Sequence, residues 1–305
     1  MVQGDVCVSL YKKIFRSRGL RIRILQLLEF IPDKMMIKLQ YRIKQGRKLD
    51  LKNPRRYTER LQWYKLNYRD PLMSKCADKL SVREYIESKG LKDILIPLYG
   101  VYNSPDKIDF DSLPEQYVLK ITNGCQTNVI VKSKSEIDTN HIKQSFNQWM
   151  KQSVKSGREW AYYDIKPRII CEKYIASETQ NDLPDYKFFC FQGEIYCLYV
   201  ICNRFSNEGP QLGIFDVQFQ QLPYFRGDEN PMEMPVEQPE NFDRMIEIAK
   251  ILSEDFPHVR VDLYNVDGQI YFGELTFYDG SGYQPYEPDE FDYILGSKFN
   301  LPEKV

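Results

Sequence analysis

The sequence predicts an α+β fold, with short basic helices at the N-terminus and antiparallel strands in the remainder of the chain. Helical spacing of apolar residues dominates residues 1–90, and short β-rich runs dominate the rest. Two pairs of these runs meet at Gln192-Gly193 and at Asp267-Gly268, dipeptides that favour hairpin turns. With 305 residues, the chain is long enough for two or three lobes.

The N-terminal segment is strongly basic. Leu20–Phe30 and Lys34–Lys44 are predicted as amphipathic helices separated at Pro32. Residues 1–60 contain 16 Lys or Arg against 5 Asp or Glu, a local net charge of +11 in a chain whose net charge is −1. Such a segment either binds an anionic partner, such as a membrane surface, or docks as a solvated helix pair on the acidic remainder. No nucleic-acid-binding motif is present, so nucleic acid is not an expected partner.

The other elements follow from the same periodicities. Further helices are predicted at Leu51–Arg69, Asp78–Lys89, His141–Lys155 and Phe242–Leu252. Strands are predicted at Tyr117–Ile121, Asn128–Lys132, Arg168–Ile175, Tyr186–Gln192, Glu194–Asn203, Arg260–Asn265 and Gln269–Phe277.

Composition argues against several classes of protein. The 7 cysteines include no C-x-x-C pair, so neither a disulfide framework nor a zinc site is expected. His141 and His258 are the only histidines, which leaves little support for a mechanism that needs a histidine base. No apolar run approaches the roughly 20 residues of a membrane span, and no signal peptide is recognised, so we expect a cytoplasmic protein.

The last predicted hairpin carries the most informative side chains. Alternation along a strand places Arg260 and Asp262 on one face, and the same face of the partner strand carries Glu274 and Thr276. Two carboxylates and a neutral oxygen suit Mg²⁺, which prefers oxygen ligands and the phosphates of a substrate. Arg260 beside them is suited to stabilise charge on a transferred phosphoryl group. A surface hairpin with alternating polar residues would give the same pattern.

Two other strands carry charged residues in apolar surroundings. Lys120 ends an apolar strand and precedes a turn at Asn123-Gly124, where it either reaches a phosphate or extends into solvent. Glu172 lies within an apolar strand, where an unpaired carboxylate is costly. It therefore requires a partner, such as the adenine–ribose edge of a nucleotide or a nearby lysine.

Taken in order, these segments resemble the TupA-like ATP-grasp family from about Tyr57 to Pro302. The resemblance is carried by five motifs, whose order is more specific than any one of them: Asp78-Lys79, Val118-Leu119-Lys120, Glu172-Lys173-Tyr174-Ile175, Asp185-Tyr186-Lys187, and Val259-Arg260-Val261-Asp262 with Gly273-Glu274-Leu275-Thr276. It implies an ATP-grasp fold, in which antiparallel sheets hold ATP between them. It also implies ATP and Mg²⁺ as cofactors.

The resemblance assigns a role to each candidate residue. The resemblance implies that the phosphates of ATP are contacted by Lys79, by Lys120 and by a loop that runs from Asn123 through Gly124 to Asn128. Its implied adenine hinge is Glu172, Lys173 and Ile175. Its implied Mg²⁺ ligands are Asp262, Glu274 and Thr276, where Thr276 stands at a position that commonly holds Asn in this fold. Its implied catalytic residues are Lys187, facing the phosphates, and Arg260, at the acyl-phosphate.

The resemblance also suggests a division of the chain. We expect a helical basic segment at residues 1–70 and a part preceding the ATP-grasp lobes at 71–115. A small lobe would follow at 116–175, and a large lobe with the metal site at 176–305.

The activity implied is carboxylate–amine ligation through an acyl-phosphate, with a carboxylate-bearing sugar or glycan and an amine as substrates. Three alternatives remain open. A kinase would use the same ATP site without an amine. A glycosyltransferase would use Asp109-Phe110-Asp111 to hold a metal and a nucleotide sugar, although these residues also suit an acidic cap. A binding module without catalysis would bind glycan independently of ATP.

Overall fold

The structure is a computed structural model that describes residues 24–125, 127–177, 183–203 and 209–303. The first four residues of the predicted helix Leu20–Phe30 therefore lie outside the described residues, and residues 24–27 are helical. The longer helices are α1 Asp33–Gln45, α2 Tyr57–Asn67, α3 Pro71–Ala77, α4 Val82–Ser88, α5 Thr139–Met150, α6 Phe242–Ser253 and α7 Glu290–Lys298.

The smaller sheet has four antiparallel strands in the order β1–β4–β2–β3. Their bounds are β1 Leu98–Tyr102, β2 Tyr117–Ile121, β3 Asn128–Val131 and β4 Ile169–Lys173. One face carries Leu119 and Ile169 and packs with Phe146 of α5 into a separate apolar core. Because side chains alternate along a strand, Lys120 and Glu172 lie on the opposite face.

The larger sheet has six strands in the order β11–β10–β5–β6–β7–β9, and only β7 and β9 run parallel. The bounds are β5 Asp185–Phe191, β6 Glu194–Cys202, β7 Gln211–Phe215, β9 Asn230–Pro231, β10 His258–Val266 and β11 Gln269–Thr276. A two-stranded ribbon pairs β8 Phe225–Arg226 with β12 Tyr286–Glu287. The main apolar core includes buried residues of this sheet and of helices α2, α3, α4, α6 and α7.

A β-bulge interrupts the pairing of β10 with β11. Asp262 lies opposite Glu274 and Leu263 lies opposite Phe272, so Gly273 has no partner residue. A Cβ atom at Gly273 would lie 3.0 Å from the carbonyl oxygen of Asp262, closer than most real contacts. The bulge therefore favours glycine, and it sits beside the charged residues of the site, as bulges often do.

The prediction of an α+β fold with antiparallel sheets is confirmed, but several element bounds were wrong. The helix predicted to begin at Leu51 begins at Tyr57, because the Glu59 carboxylate accepts hydrogen bonds from the backbone N–H groups of Arg55 and Arg56. The helix predicted from Asp78 begins at Val82, since the Asp78 side chain caps the preceding turn. The helix predicted at His141–Lys155 runs from Thr139 to Met150.

Other elements were not predicted. They include α3, α7 and β7, which are short or have little amphipathic contrast. Helix α7 depends on tertiary contacts: its buried Asp292 accepts hydrogen bonds from the backbone N–H and the hydroxyl of Thr58 at the start of α2. Such a pairing between distant segments leaves no periodic signal in the sequence. Within the described residues, none of the helices combines the length and hydrophobicity needed to span a bilayer.

Candidate active site

Three neighbouring strands of the larger sheet bring the predicted metal and catalytic residues together. Asp262 on the central strand β10 lies opposite Glu274 on β11 and opposite Lys187 on β5. Arg260 lies two residues before Asp262 and opposite Thr276. All five side chains therefore point from one face, as alternation along these strands requires.

Asp262 is the most buried member of this group, with 1% of its surface exposed. Arg260 donates to both of its carboxylate oxygens at 2.7 Å, through Nε and Nη2, and Lys187 Nζ donates to Oδ2. Burial lowers the pKa of Lys187, but Asp185 and Asp262 outweigh it and hold the pKa above its usual value. The two cations therefore stay charged and neutralise the buried carboxylate.

Glu274 forms the open end of the group, with a side chain 40% exposed. Lys79 Nζ lies 3.4 Å from its Oε2, and the Thr276 hydroxyl donates to its Oε1 at 3.3 Å. Burial raises the pKa of the Glu274 carboxyl, but Lys79, Lys187 and Arg260 outweigh this effect and lower the pKa to about 2. Glu274 is therefore ionised throughout the physiological pH range.

The donor set fits Mg²⁺. Asp262, Glu274 and Thr276 supply two carboxylates and a hydroxyl on one face, and Mg²⁺ typically takes one or two carboxylates together with substrate phosphates and water. Among residues 24–125, 127–177, 183–203 and 209–303, no three His, Cys, Asp or Glu side chains form a ready metal cluster. A cation at this position would replace the contacts that Arg260 and Lys187 make with Asp262.

The predicted phosphate-binding lysines lie beside this group. Lys79 Nζ donates to the Gly124 carbonyl at 3.0 Å, which ties the turn after β2 to Glu274. Lys120 Nζ lies 2.7 Å from Glu172 Oε2, and Arg83 Nη1 lies 3.7 Å from Oε1. Lys120 thus supplies the partner that the buried Glu172 required.

These residues line a narrow cleft between the two sheets. Lys120 and Glu172 come from the smaller sheet, Phe272 and Gly273 from the larger one, and Lys79, Arg83, Leu95, Ile96 and Ile170 complete the lining. On the same face of the smaller sheet, Val101 and Ile130 are exposed to 44% and 38%. The cleft thus offers an apolar wall at one place and cations at another, the combination that a nucleotide requires.

The remaining predicted residues are less closely involved. Asn123 Nδ2 donates to the Ile165 carbonyl, away from the cleft. Lys173 is exposed at the end of β4, and Ile175 is half-buried just beyond it. Gln126, in the predicted phosphate loop, lies outside the described residues.

The D-x-D residues lie elsewhere. Asp109 and Asp111 are exposed, and Phe110 between them packs into the core of the smaller sheet. That core covers the sheet face opposite Lys120 and Glu172. Asp109 and Asp111 are therefore not part of the cleft.

Three residues of this group were given no role from the sequence. Asp185 contacts Lys187 Nζ at 2.8 Å, and Asp279 pairs with Arg260. Arg83 lines the cleft beside Glu172. The spacing of Asp185 and Lys187 at alternate strand positions was a usable signal. Asp279 lies beyond the end of β11, where no periodicity indicates its direction.

The family model described as TupA-like ATPgrasp matches residues 59–300, which is most of the chain and includes every candidate residue described above. The chain belongs to the TupA-like ATP-grasp family. No curated protein matches it in sequence.

Among solved structures, D-alanine–D-alanine ligase from Bacillus anthracis complexed with ATP is 16% identical, with a TM-score of 0.40 over 66% of this chain and 55% of that one. The Helicobacter pylori D-alanine–D-alanine ligase is 13% identical, with a TM-score of 0.40 over 74% and 61%. The ATP-grasp ligase PsnB with a phosphomimetic precursor variant, Mg and ADP is 12% identical, with a TM-score of 0.42 over 80% and 66%. The chain thus spans only part of the length of these ligases.

Proposed function

We propose that this ATP-grasp protein is an ATP- and Mg²⁺-dependent carboxylate–amine ligase that forms an amide through an acyl-phosphate. The observation that carries the proposal is the convergence of Lys79, Lys187 and Arg260 on the Asp262–Glu274 pair, at a cleft between two antiparallel sheets. Phosphoryl transfer depends mainly on positioning and on stabilising negative charge, and this arrangement supplies both.

The proposed steps balance without a histidine. A substrate carboxylate oxygen forms a bond to the γ-phosphorus of ATP while the bond to ADP breaks. The amine nitrogen then attacks the acyl carbon, phosphate leaves, and the nitrogen loses a proton. Lys79 and Lys120 hold the phosphates, Lys187 faces the transferred group, and Arg260 steadies the acyl-phosphate and the tetrahedral species.

A bound Mg²⁺ would be held by Asp262, Glu274 and Thr276 and would neutralise charge on the phosphates. Glu274 is the ligand best prepared for this role, because its carboxylate is ionised and accessible. Arg260, released from Asp262, would then face the reacting group. The adenine hinge is proposed at Glu172, Lys173 and Ile175, with Asn123 and Gly124 in the turn over the phosphates.

For the substrates, we propose a uronic acid of a surface polysaccharide, or of its precursor, as the carboxylate, and an amino acid or another amine as its partner. Two features motivate this choice: the resemblance to the TupA-like family, which is associated with anionic cell-surface polymers, and the basic charge of residues 1–60. We also propose the division of the chain given above: a basic segment at residues 1–70, a part preceding the lobes at 71–115, a small lobe at 116–175 and a large lobe at 176–305. A cytoplasmic location, with peripheral association at the inner face of the membrane through residues 1–60, is also part of the proposal.

The test is ADP release with ATP, Mg²⁺ and a panel of uronic acids, with and without an amino-acid mixture. ADP should appear only when both substrates are present, and Glu274→Gln should lower the rate by about a hundredfold or more, because it removes a charged metal ligand. The matched control is Glu237→Gln at an exposed site outside the cleft, which should leave the rate unchanged.

Two other outcomes would contradict ligation. ADP release with a sugar alone would indicate a kinase. Hydrolysis of a nucleotide sugar that is independent of ATP and is lost in Asp109→Asn or Asp111→Asn would indicate a glycosyltransferase. The absence of stimulation by any uronic acid would remove that substrate class.

A further inference from the structure

The residues just before and along α1 expose an unusual amount of apolar surface. Nine large apolar side chains are exposed in the part of the chain that the structure describes, and four of them lie between residues 27 and 39. These are Leu27, Phe30, Met35 and Leu39, exposed to 76%, 82%, 64% and 49%. Clustered exposed apolar residues of this kind mark interaction surfaces.

Cations lie among these apolar side chains. With 3.6 residues per turn, Met35, Lys38, Leu39 and Arg42 fall within an arc of about 100° around α1. Lys34 flanks this arc, and all three cations are exposed. Asp33 does not oppose them, because it is paired with Arg158 at 2.9 Å. We name Leu27, Phe30, Lys34, Met35, Lys38, Leu39 and Arg42 the α1 outer face.

The opposite side of α1 is fixed to the body of the protein. Met36, Ile37 and Tyr41 are buried, and the Tyr41 hydroxyl lies 2.9 Å from the hydroxyl of Thr58 in α2. The buried Arg158 donates to the carbonyls of Leu28 and Glu29 and so holds the turn before α1. The outer face is therefore presented by a docked helix and does not have to be ordered on binding.

We propose that the α1 outer face binds the surface of an anionic lipid bilayer, with Leu27, Phe30, Met35 and Leu39 inserted among the lipids and Lys34, Lys38 and Arg42 at the headgroups. Exposed apolar side chains with exposed Lys and Arg beside them combine burial of apolar area with attraction to anionic lipids, the two contributions that bind proteins to an anionic bilayer surface. A soluble acidic partner would use the cations without requiring four exposed apolar side chains. This inference locates the membrane association proposed above, and its test requires no catalytic turnover.

The position of α1 also connects this surface with the active site. The Tyr283 hydroxyl donates to Gln40 Oε1 at 2.7 Å, and Gln45 Nε2 donates to the Gln284 carbonyl at 3.0 Å. Tyr283 and Gln284 follow the turn that begins at Asp279, the partner of Arg260. Helix α1 therefore connects its outer face with that turn, and binding at this face brings the turn near the bilayer surface.

The test is co-sedimentation of the full chain with vesicles of phosphatidylcholine alone or mixed with phosphatidylglycerol. Binding is expected only to the mixed vesicles, and it should weaken as salt is added. Replacing Lys34, Lys38 and Arg42 with Gln should lower the partition coefficient on the order of a hundredfold, because each cation near such a surface contributes about 1 kcal/mol. Replacing Phe30 and Leu39 with Ser should lower it by a similar factor.

The matched control replaces three exposed lysines outside this face, Lys92, Lys107 and Lys151, with Gln and should change binding less than about threefold. Circular dichroism confirms that each variant is folded. Three results would overturn the proposal. The first is unchanged binding in both α1 variants. The second is loss only when the six cations of residues 1–23 are replaced. The third is a pair of results: the protein binds soluble polyglutamate through Lys34, Lys38 and Arg42, and replacing Phe30 and Leu39 does not change its binding to vesicles.

Discussion

The two sheets hold their charged residues in different ways. In the smaller sheet, Glu172 pairs with Lys120, whose side chain is 21% exposed at the cleft. In the larger sheet, Asp262 is enclosed by Arg260 and Lys187, and all three are buried. Lys120 can leave Glu172 for a bound ligand at little cost in free energy, because it lies at the cleft. The buried group around Asp262, in contrast, is stable only while its charges are neutralised. We therefore propose that phosphoryl transfer takes place at the larger sheet and that the smaller sheet mainly binds the nucleotide.

The largest expected effect comes from removing a carboxylate from each sheet. Asp262→Ala removes the carboxylate that Arg260 and Lys187 share and leaves them paired only with Asp279 and Asp185. It should lower the free energy of unfolding by about 3 kcal/mol, because both cations stay buried. Glu172→Ala should lower it by only about 1 kcal/mol, because Lys120 and Arg83 turn to solvent in the cleft. Urea unfolding measures both. Equal losses would contradict the difference between the sheets.

A smaller effect is expected in the pH dependence of the free energy of unfolding, and it arises from a histidine in the larger sheet. His258, fully buried in β10, lies 2.9 Å from the Cys190 carbonyl through Nδ1 and 2.9 Å from the Tyr57 hydroxyl through Nε2. The carbonyl requires the proton on Nδ1, so Nε2 accepts from Tyr57. Burial lowers the pKa of His258 to about 4, and the neutral ring is the native form.

Because the unfolded ring titrates near pH 6.5, the unfolded chain takes up this proton first as the pH falls. Stability should therefore be lost between about pH 6.5 and 4, by about 2 kcal/mol at pH 5. Urea unfolding at pH 7 and pH 5 measures this loss. The His258→Gln variant should lose less free energy of unfolding between the two pH values than the wild-type protein. A His258→Gln variant that loses as much stability as the wild-type protein between pH 7 and pH 5 would contradict the assigned neutral ring, since the other groups that titrate in this range, such as Asp292, are common to both proteins. His141, exposed on α5, serves as the control position.

Alternation along β10 and β11 was enough to predict which face Arg260, Asp262, Glu274 and Thr276 share. It was not enough to predict that Arg260 and Lys187 occupy both oxygens of Asp262, because β5 joins β10 across about 70 residues of sequence. Asp279 was missed for a related reason, since the backbone turns sharply after β11 and strand periodicity ends there. The order of the motifs predicted the fold, and tertiary pairing decided the electrostatics.

Activation of the carboxylate as an acyl-phosphate can be tested directly with hydroxylamine. Hydroxylamine replaces the amine in reactions of acyl-phosphates and gives a hydroxamate that forms a coloured ferric complex. With ATP, Mg²⁺ and an active uronic acid, hydroxamate should form in equal amount to ADP, and Glu274→Gln should lower the rate of both by about a hundredfold or more. ADP accompanied by a phosphorylated sugar, with no hydroxamate, would contradict ligation and establish a kinase.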